Sequence, residues 1–129
     1  MPELTHSVSI NRSPDDVWKL VADFGAIADW FPGMSSSRLE GDDRIMEIEG
    51  VGRLVERRLS SDDEARSLSY EIVESPLPFD SYRATMRVDP EGEGSRVEWH
   101  QVFEPESILP ILEAMGPPTL EQMKTHLEG

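Results

Sequence analysis

The sequence contains no cysteine, and this absence removes several classes of function. Disulfide bonds, thiol nucleophiles and cysteine-rich structural zinc sites are all excluded. The three histidines, His6, His100 and His126, lie far apart along the chain and lack the spacing of a metal site. Gly50-Val51-Gly52 has too few glycines for a phosphate loop and precedes a strand pattern, which is typical of a turn. We therefore expect neither a metal nor any other cofactor.

Basic residues are scarce, with 12 Lys and Arg against 26 Asp and Glu and a net charge of -14. A field of this sign repels nucleic-acid phosphates and anionic lipid headgroups. The chain also lacks a run of about 20 apolar residues that could cross a membrane. Its first residues, MPELTHSV, form neither a basic nor an apolar leader segment. We expect a cytoplasmic protein with no nucleic-acid partner and no membrane insertion.

A chain of 129 residues has room for one hydrophobic core, since domains most often contain about 100–150 residues. No internal repeat or low-complexity linker divides it, so we expect a single domain over residues 1–129. Alternating apolar residues predict a first strand over 4–12. The Ser13-Pro14 pair followed by two aspartates predicts a helix start, and Gly25 its end or its junction with a second short helix over 26–31.

In the next seventy residues, apolar and polar side chains alternate with a period of two. Turn-forming residues divide this region at roughly ten-residue spacing. This pattern predicts a meander of antiparallel strands at about 36–40, 44–49, 53–60, 66–74, 80–89 and 95–104. Helical spacing returns in the C-terminal segment. Gly116-Pro117-Pro118 interrupts that segment, and we expect either one bent helix or two helices, since Thr119 and Gln122 could form a capping box.

Two stretches carry a resemblance to a known family. SPDDVWKLVADFGAIADWFP resembles the first helix pair of the polyketide cyclase/dehydrase and lipid-transport branch of the START/Bet v 1-like (SRPBCC) superfamily, and SYEIVESPLPFDSYRATMRVDPEGEGSRVEWHQVFEP is similar to its central hairpins. The resemblance covers residues 4 to about 105. It implies an α+β helix-grip fold, in which a curved seven-stranded antiparallel sheet and a long C-terminal helix enclose a cavity.

Alternation then predicts which side chains face that cavity. The apolar faces of the last three strands are Leu68, Tyr70 and Ile72, then Tyr82, Ala84, Met86 and Val88, then Val97, Trp99, Gln101 and Phe103. From these faces, the loops and the last helix we select as candidate ligand-binding residues Trp30, Met34, Tyr70, Leu77, Phe79, Tyr82, Met86, Trp99, Gln101, Leu112 and Met115. Aromatic residues at positions such as those of Trp30, Tyr70, Tyr82 and Trp99 are more often core packing than ligand contacts.

Glu56 and Arg58 complete the candidate set, because the strand that holds them has no purely apolar face. If Ser60 pairs with Arg66, Glu56 lies opposite Tyr70 and both charged residues face inward, paired with each other or with tyrosine hydroxyls. A slip of one residue turns them outward. Plant hormone receptors of the same superfamily resemble this chain in a pocket glutamate at Glu56 and a pocket tyrosine at Tyr82. Their pocket lysine is replaced by Ser35, so the resemblance does not imply an anchor for acids.

The loop Pro76-Leu77-Pro78-Phe79 is apolar where a surface loop is ordinarily polar. It is expected at the open end of the cavity, either as a lid or as a rigid hairpin connection with a small core of its own.

The resemblance and the inward faces together indicate binding or transport of a small hydrophobic or amphipathic molecule. A lipid, an aromatic compound or a polyketide-like compound would fit. The alternative is a polyketide cyclase or dehydratase in which Glu56 acts as acid or base, Arg58 stabilises an enolate and Tyr82 donates to a carbonyl.

Overall fold

Seven antiparallel strands form one sheet in the computed structural model, which describes residues 2–129. The strands are β1 (Glu3–Ile10), β2 (Met34–Glu40), β3 (Asp43–Ile48), β4 (Gly52–Asp62), β5 (Ser67–Glu74), β6 (Ser81–Glu91) and β7 (Gly94–Glu104). Their order across the sheet is β1-β7-β6-β5-β4-β3-β2. Strands β2 to β7 therefore form the predicted meander, and β1 adds to the far side of β7.

Two α-helices and two short 3-10 helices account for the helical part of residues 2–129. They are α1 (Pro14–Ala22), a 3-10 helix (Phe24–Asp29), a second 3-10 helix (Glu106–Ile108) and α2 (Leu109–Glu128). The start of α1 follows its sequence signal, since the Ser13 hydroxyl accepts a hydrogen bond from the Asp16 N–H at 3.2 Å. The order of elements confirms the predicted α+β helix-grip architecture.

Helix α2 is continuous over twenty residues and contains Pro117 and Pro118 in its interior. The two-helix alternative for this segment is therefore wrong. Both prolines lack the N–H that would bond to the preceding turn, so packing must compensate for the lost hydrogen bonds. That packing is close, because a Cβ added at Gly116 would collide with the ring of His6 on β1.

The predicted pairing of β4 with β5 is wrong by two residues. Glu56 lies opposite Ile72 and Arg58 opposite Tyr70, because the hairpin closes later, at Asp62 and Ser67. The carboxylate of Asp62 accepts hydrogen bonds from two backbone N–H groups of this turn and fixes it. Bulges between Val55 and Glu56 and between Arg58 and Ser60 absorb the remaining offset. A shift of two residues keeps each side chain on its predicted face.

One face of the sheet packs against both α-helices and forms the core. The core joins α1 through Val17 and Val21, α2 through Leu112 and Leu120, and the predicted inward faces of β5, β6 and β7. In residues 2–129, no helix combines the length and the apolar character needed to cross a membrane.

Candidate ligand cavity

A cavity of about 180 Å³ lies between the sheet and α2. Strands β3 to β7 supply one wall, and Ile111, Leu112 and Met115 of α2 supply the opposite wall. Most lining side chains are apolar. The exposed lining residues Val51 and Ile111 mark its outer end, where the turn between β3 and β4 approaches the proline loop.

An ion pair is buried in the wall of the cavity. Arg44 on β3 and Glu56 on β4 are direct cross-strand partners, and their side chains are only 5% and 8% exposed. The arginine donates Nε to Oε1 of Glu56 at 2.8 Å, and Nη2 lies 2.6 Å from the same oxygen. Both contacts use Oε1, so the second carboxylate oxygen has no contact from this arginine at comparable distance.

Aromatic rings and a backbone carbonyl hold the arginine in place. Its guanidinium carbon lies 3.9 Å from the ring centroid of Phe24 and 4.8 Å from that of Tyr70, which is the range of cation–π attraction. Nη1 donates to the backbone oxygen of Phe24 at 3.2 Å. The 3-10 helix that follows α1 thus fixes the charge pair from the side opposite the sheet.

Four polar side chains form a second cluster on the cavity wall. Trp99 donates its indole N–H to the hydroxyl of Tyr70 at 3.1 Å, and Gln101 donates Nε2 to the hydroxyl of Tyr82. All four residues are at most 7% exposed. Oε1 of Gln101 is buried and has no hydrogen-bond partner within the described residues.

Burial controls the ionisation of these groups. It raises the pKa of Glu56 above the ordinary 4.5, although the charge of Arg44 and its hydrogen bond oppose the shift. Burial also raises the pKa values of Tyr70 and Tyr82, and the negative charge of Glu56 adds to both shifts. Burial thus makes the charged form of each of these acids less favourable here than in water.

The structure brings ten of the thirteen sequence-selected residues together around the cavity. They are Met34, Glu56, Tyr70, Leu77, Phe79, Tyr82, Trp99, Gln101, Leu112 and Met115. The other three, Trp30, Arg58 and Met86, do not line it. Trp30 and Met86 instead border a separate void of about 10 Å³, deeper in the core beside Val21 and Leu68.

Arg58 is the main error in the sequence-based site. Its side chain remains on the Phe24 side of the sheet but turns to the edge, where it contacts Asp42 at 3.2 Å and is 27% exposed. The expected partnership of Glu56 with Arg58 is wrong, because Arg44 lies directly opposite the glutamate on the neighbouring strand. Arg58 therefore does not line the cavity.

Sequence reasoning missed Arg44 although the sequence held a signal for it. In β3, Arg44 alternates with Met46 and Ile48, so a charged residue shares a face with two apolar ones. Such a position is costly unless the charge is paired. Other lining residues that were not selected are Ile27, Phe31, Met46, Ile48, Val51, Leu54, Ile72, Ser75, Pro76 and Ile111.

The proline loop lies at the cavity as expected. Leu77 and Phe79 line it, and the ring of Phe79 meets that of Tyr82 edge-on at 5.2 Å between centroids. The Ser75 hydroxyl accepts a hydrogen bond from the Leu77 N–H and stiffens the loop. Within residues 2–129, no three His, Asp or Glu side chains are grouped closely enough to hold a metal ion.

The chain matches a family profile and is similar to several solved structures. The profile of the family described as "Polyketide cyclase / dehydrase and lipid transport" matches residues 1–128. The protein XoxI from Bacillus cereus is 28% identical over 98% of this chain and 96% of its own, with a TM-score of 0.90. A protein from Thermobifida fusca is 29% identical over 98% of this chain and 93% of its own, with a TM-score of 0.82.

A more distant structure shares only the fold. BexL, a di-domain ARO/CYC from the BE-7585A biosynthetic pathway, is 20% identical, and the match covers 99% of this chain and 47% of BexL with a TM-score of 0.87. A search of curated proteins finds no match.

Proposed function

The chain belongs to the polyketide cyclase/dehydrase and lipid transport family, and from this premise we propose that it binds a small hydrophobic or amphipathic molecule between the sheet and α2. The observation that carries the proposal is a largely apolar cavity with a few buried polar groups on its wall. This combination is typical of small-molecule sites, where apolar surface supplies affinity and polar groups supply orientation.

The size of the cavity limits the ligand. Its volume of about 180 Å³ is close to that of engineered apolar cavities of about 150 Å³ that accept benzene. It is below the roughly 300 Å³ at which pockets for drug-sized ligands begin. A single substituted ring fits the cavity as it stands, whereas a longer lipid or polyketide needs the proline loop to move outward as a lid.

A matched pair of substitutions on β5 tests this function. Ile72 lines the cavity, and the next residue, Val73, faces away from it and is 46% exposed. Ile72→Phe adds volume inside the cavity, and Val73→Phe adds the same kind of ring outside it. Calorimetric titration with 4-methylphenol should give binding to the wild type and to Val73→Phe, and binding at least tenfold weaker to Ile72→Phe.

Equal binding by all three proteins would place the ligand elsewhere and would remove the cavity from the proposal. Absence of binding to the wild type by 4-methylphenol, together with no small molecule in organic extracts of the purified protein, would refute a carrier role.

A second candidate function is cyclisation or dehydration of a polyketide-like substrate. It is favoured by one observation, the buried Glu56 carboxyl whose pKa is raised by its surroundings. In this reaction Glu56 takes a proton from the carbon between two carbonyls, and Arg44 stabilises the enolate oxygen. The new carbanion then adds to a second carbonyl, whose oxygen receives the proton back from Glu56.

Glu56→Gln separates the two functions. An enzyme loses turnover of a poly-β-ketone substrate by a factor of about 100 or more, because general acid–base catalysis contributes about that much. A carrier retains binding of 4-methylphenol to within a few fold.

A further inference from the structure

Gln101 lines the cavity and carries a buried side-chain oxygen without a hydrogen-bond partner among the described residues. The residue is 1% exposed and lines the cavity from the middle of β7. Its Nε2 donates to the hydroxyl of Tyr82, whereas Oε1 has no partner within the described residues. A buried carbonyl oxygen without a partner costs free energy, so its presence needs an explanation.

Two hydrogen bonds between side chains occupy the tyrosine hydroxyls beside this amide. The Trp99 indole can only donate, so the Tyr70 oxygen accepts from it. The Tyr82 oxygen accepts from Nε2 of Gln101, which leaves Oε1 of the same amide for another donor.

The charges around the cavity disfavour an anionic ligand. Arg44 is the only cationic side chain among its lining residues, and Glu56 already occupies that cation at 2.6 Å. A carboxylate would enter beside Glu56 without a counterion and would meet the unpaired Oε1 of Gln101. Burial of an unpaired charge costs several kcal/mol. A neutral hydroxyl meets neither penalty.

We propose that the cavity selects small neutral molecules that carry a hydroxyl group, in particular alkylphenols, and that this hydroxyl donates a hydrogen bond to Oε1 of Gln101. The inference rests on the proposed ligand-binding function and adds the chemical class of the ligand. It also assigns Gln101, rather than the Arg44–Glu56 pair, as the residue that discriminates among apolar molecules of equal size.

Two ligands of nearly equal shape test the inference. In 4-methylphenol a hydroxyl stands where p-xylene has a methyl group. The dissociation constants of both are measured by calorimetry for the wild type and for Gln101→Met, which keeps the length of the side chain but removes the acceptor. The general difference in hydrophobicity between the ligands cancels when the ratio of the two constants in the variant is compared with the same ratio in the wild type. We expect the preference for 4-methylphenol to fall about tenfold in Gln101→Met.

Each result is decisive for one of the two proposals. An unchanged ratio in a variant that still binds both ligands overturns the role of Gln101 and leaves ligand binding intact. Failure of the wild type to bind either ligand overturns this inference, and the same failure with no small molecule in organic extracts of the protein overturns ligand binding as well.

A measurement on the wild type makes the test independent of how well the variant folds. The chain has two glutamines, Gln101 at the cavity and Gln122 on the exposed side of α2. With ¹³C in the side-chain carbonyls, 4-methylphenol should shift the Gln101 signal downfield, and p-xylene should not. Gln122 should respond to neither. Equal shifts of Gln101 with both ligands would contradict the hydrogen bond.

Discussion

At the scale of single residues, Arg44 and Glu56 place two opposite charges in an interior that otherwise excludes water. Removing such ions from water costs several kcal/mol each, and their attraction repays this only when the geometry is good. Here the arginine has two contacts with one carboxylate oxygen and lies against two aromatic rings. Burial nonetheless raises the pKa of Glu56, so the carboxylate is less favourable here than in water.

Removal of the arginine should therefore be costly. Arg44→Met leaves Glu56 buried without a counterion, and we expect the free energy of unfolding at neutral pH to fall by about 3–5 kcal/mol in urea titrations. Arg57→Met is the matched control, because Arg57 forms an exposed pair with Asp43 between the same two strands. A similar loss of stability in both variants would show that burial of the Arg44–Glu56 pair does not increase the cost of removing its arginine.

Glu56 should also give stability a characteristic dependence on pH. Since its pKa is raised in the folded state, folding takes up a proton between the ordinary pKa of 4.5 and the folded value. The stabilisation is complete below 4.5 and is lost as pH rises through the folded pKa. The free energy of unfolding is measured across this pH range for the wild type and for Glu56→Gln. As pH rises, the value for the wild type should fall progressively relative to the value for Glu56→Gln. A constant or opposite difference would refute the raised pKa.

The tyrosines supply an optical test of the second polar cluster. Tyr70 and Tyr82 are the two tyrosines of the chain, and burial raises the pKa of both above 10.0. Phenolate absorbance of the folded protein should stay flat at pH 10 and rise only as the protein unfolds. Ionisation near pH 10 in a protein that keeps its far-ultraviolet circular dichroism would mean that water reaches these hydroxyls.

At the scale of elements, the contact of α2 with β1 depends on a residue without a side chain. Gly116 lies against the ring of His6, and glycine in a helix normally costs about 1 kcal/mol relative to alanine. The close approach therefore has a local cost that packing offsets. It also explains how a helix with two internal prolines remains attached to the sheet.

Gly116→Ala should destabilise the protein despite the better helix propensity of alanine. We expect a loss of about 1–3 kcal/mol in the free energy of unfolding, the usual effect of an overpacked contact. His6→Ala in the same chain removes the ring and should restore most of that loss relative to His6→Ala alone. If alanine at position 116 stabilises the protein in the presence of His6, the proposed contact is wrong.

At the scale of the whole molecule, the sequence predicted the order of elements but not the chemistry of the cavity wall. Strand alternation placed Tyr70, Tyr82 and Gln101 inward because each lies among apolar neighbours of its own strand. The Arg44–Glu56 pair depends on which residues of two strands lie opposite each other. The register of β3 against β4 is regular from Asp43–Arg57 to Ile48–Gly52 and is set by the length of the turn that joins the two strands. A change of one residue in that length would give Glu56 another partner.

The cavity has a consequence for the stability of the whole fold. Protein interiors are close-packed, and apolar side chains left without packing partners around a cavity of about 180 Å³ cost stability. A ligand that fills the space recovers part of this cost. Ligand binding should therefore raise the free energy of unfolding of the whole protein.

The most direct test of the central claim is a titration of the ¹³C-labelled methionine methyl groups with 4-methylphenol. Met34, Met46 and Met115 line the cavity from three different elements, whereas Met123 is fully buried outside it. The account predicts saturable shifts of the first three signals at one common dissociation constant, with Met123 unchanged. Shifts of surface signals alone, or no saturable shift at Met34, Met46 and Met115, would contradict it.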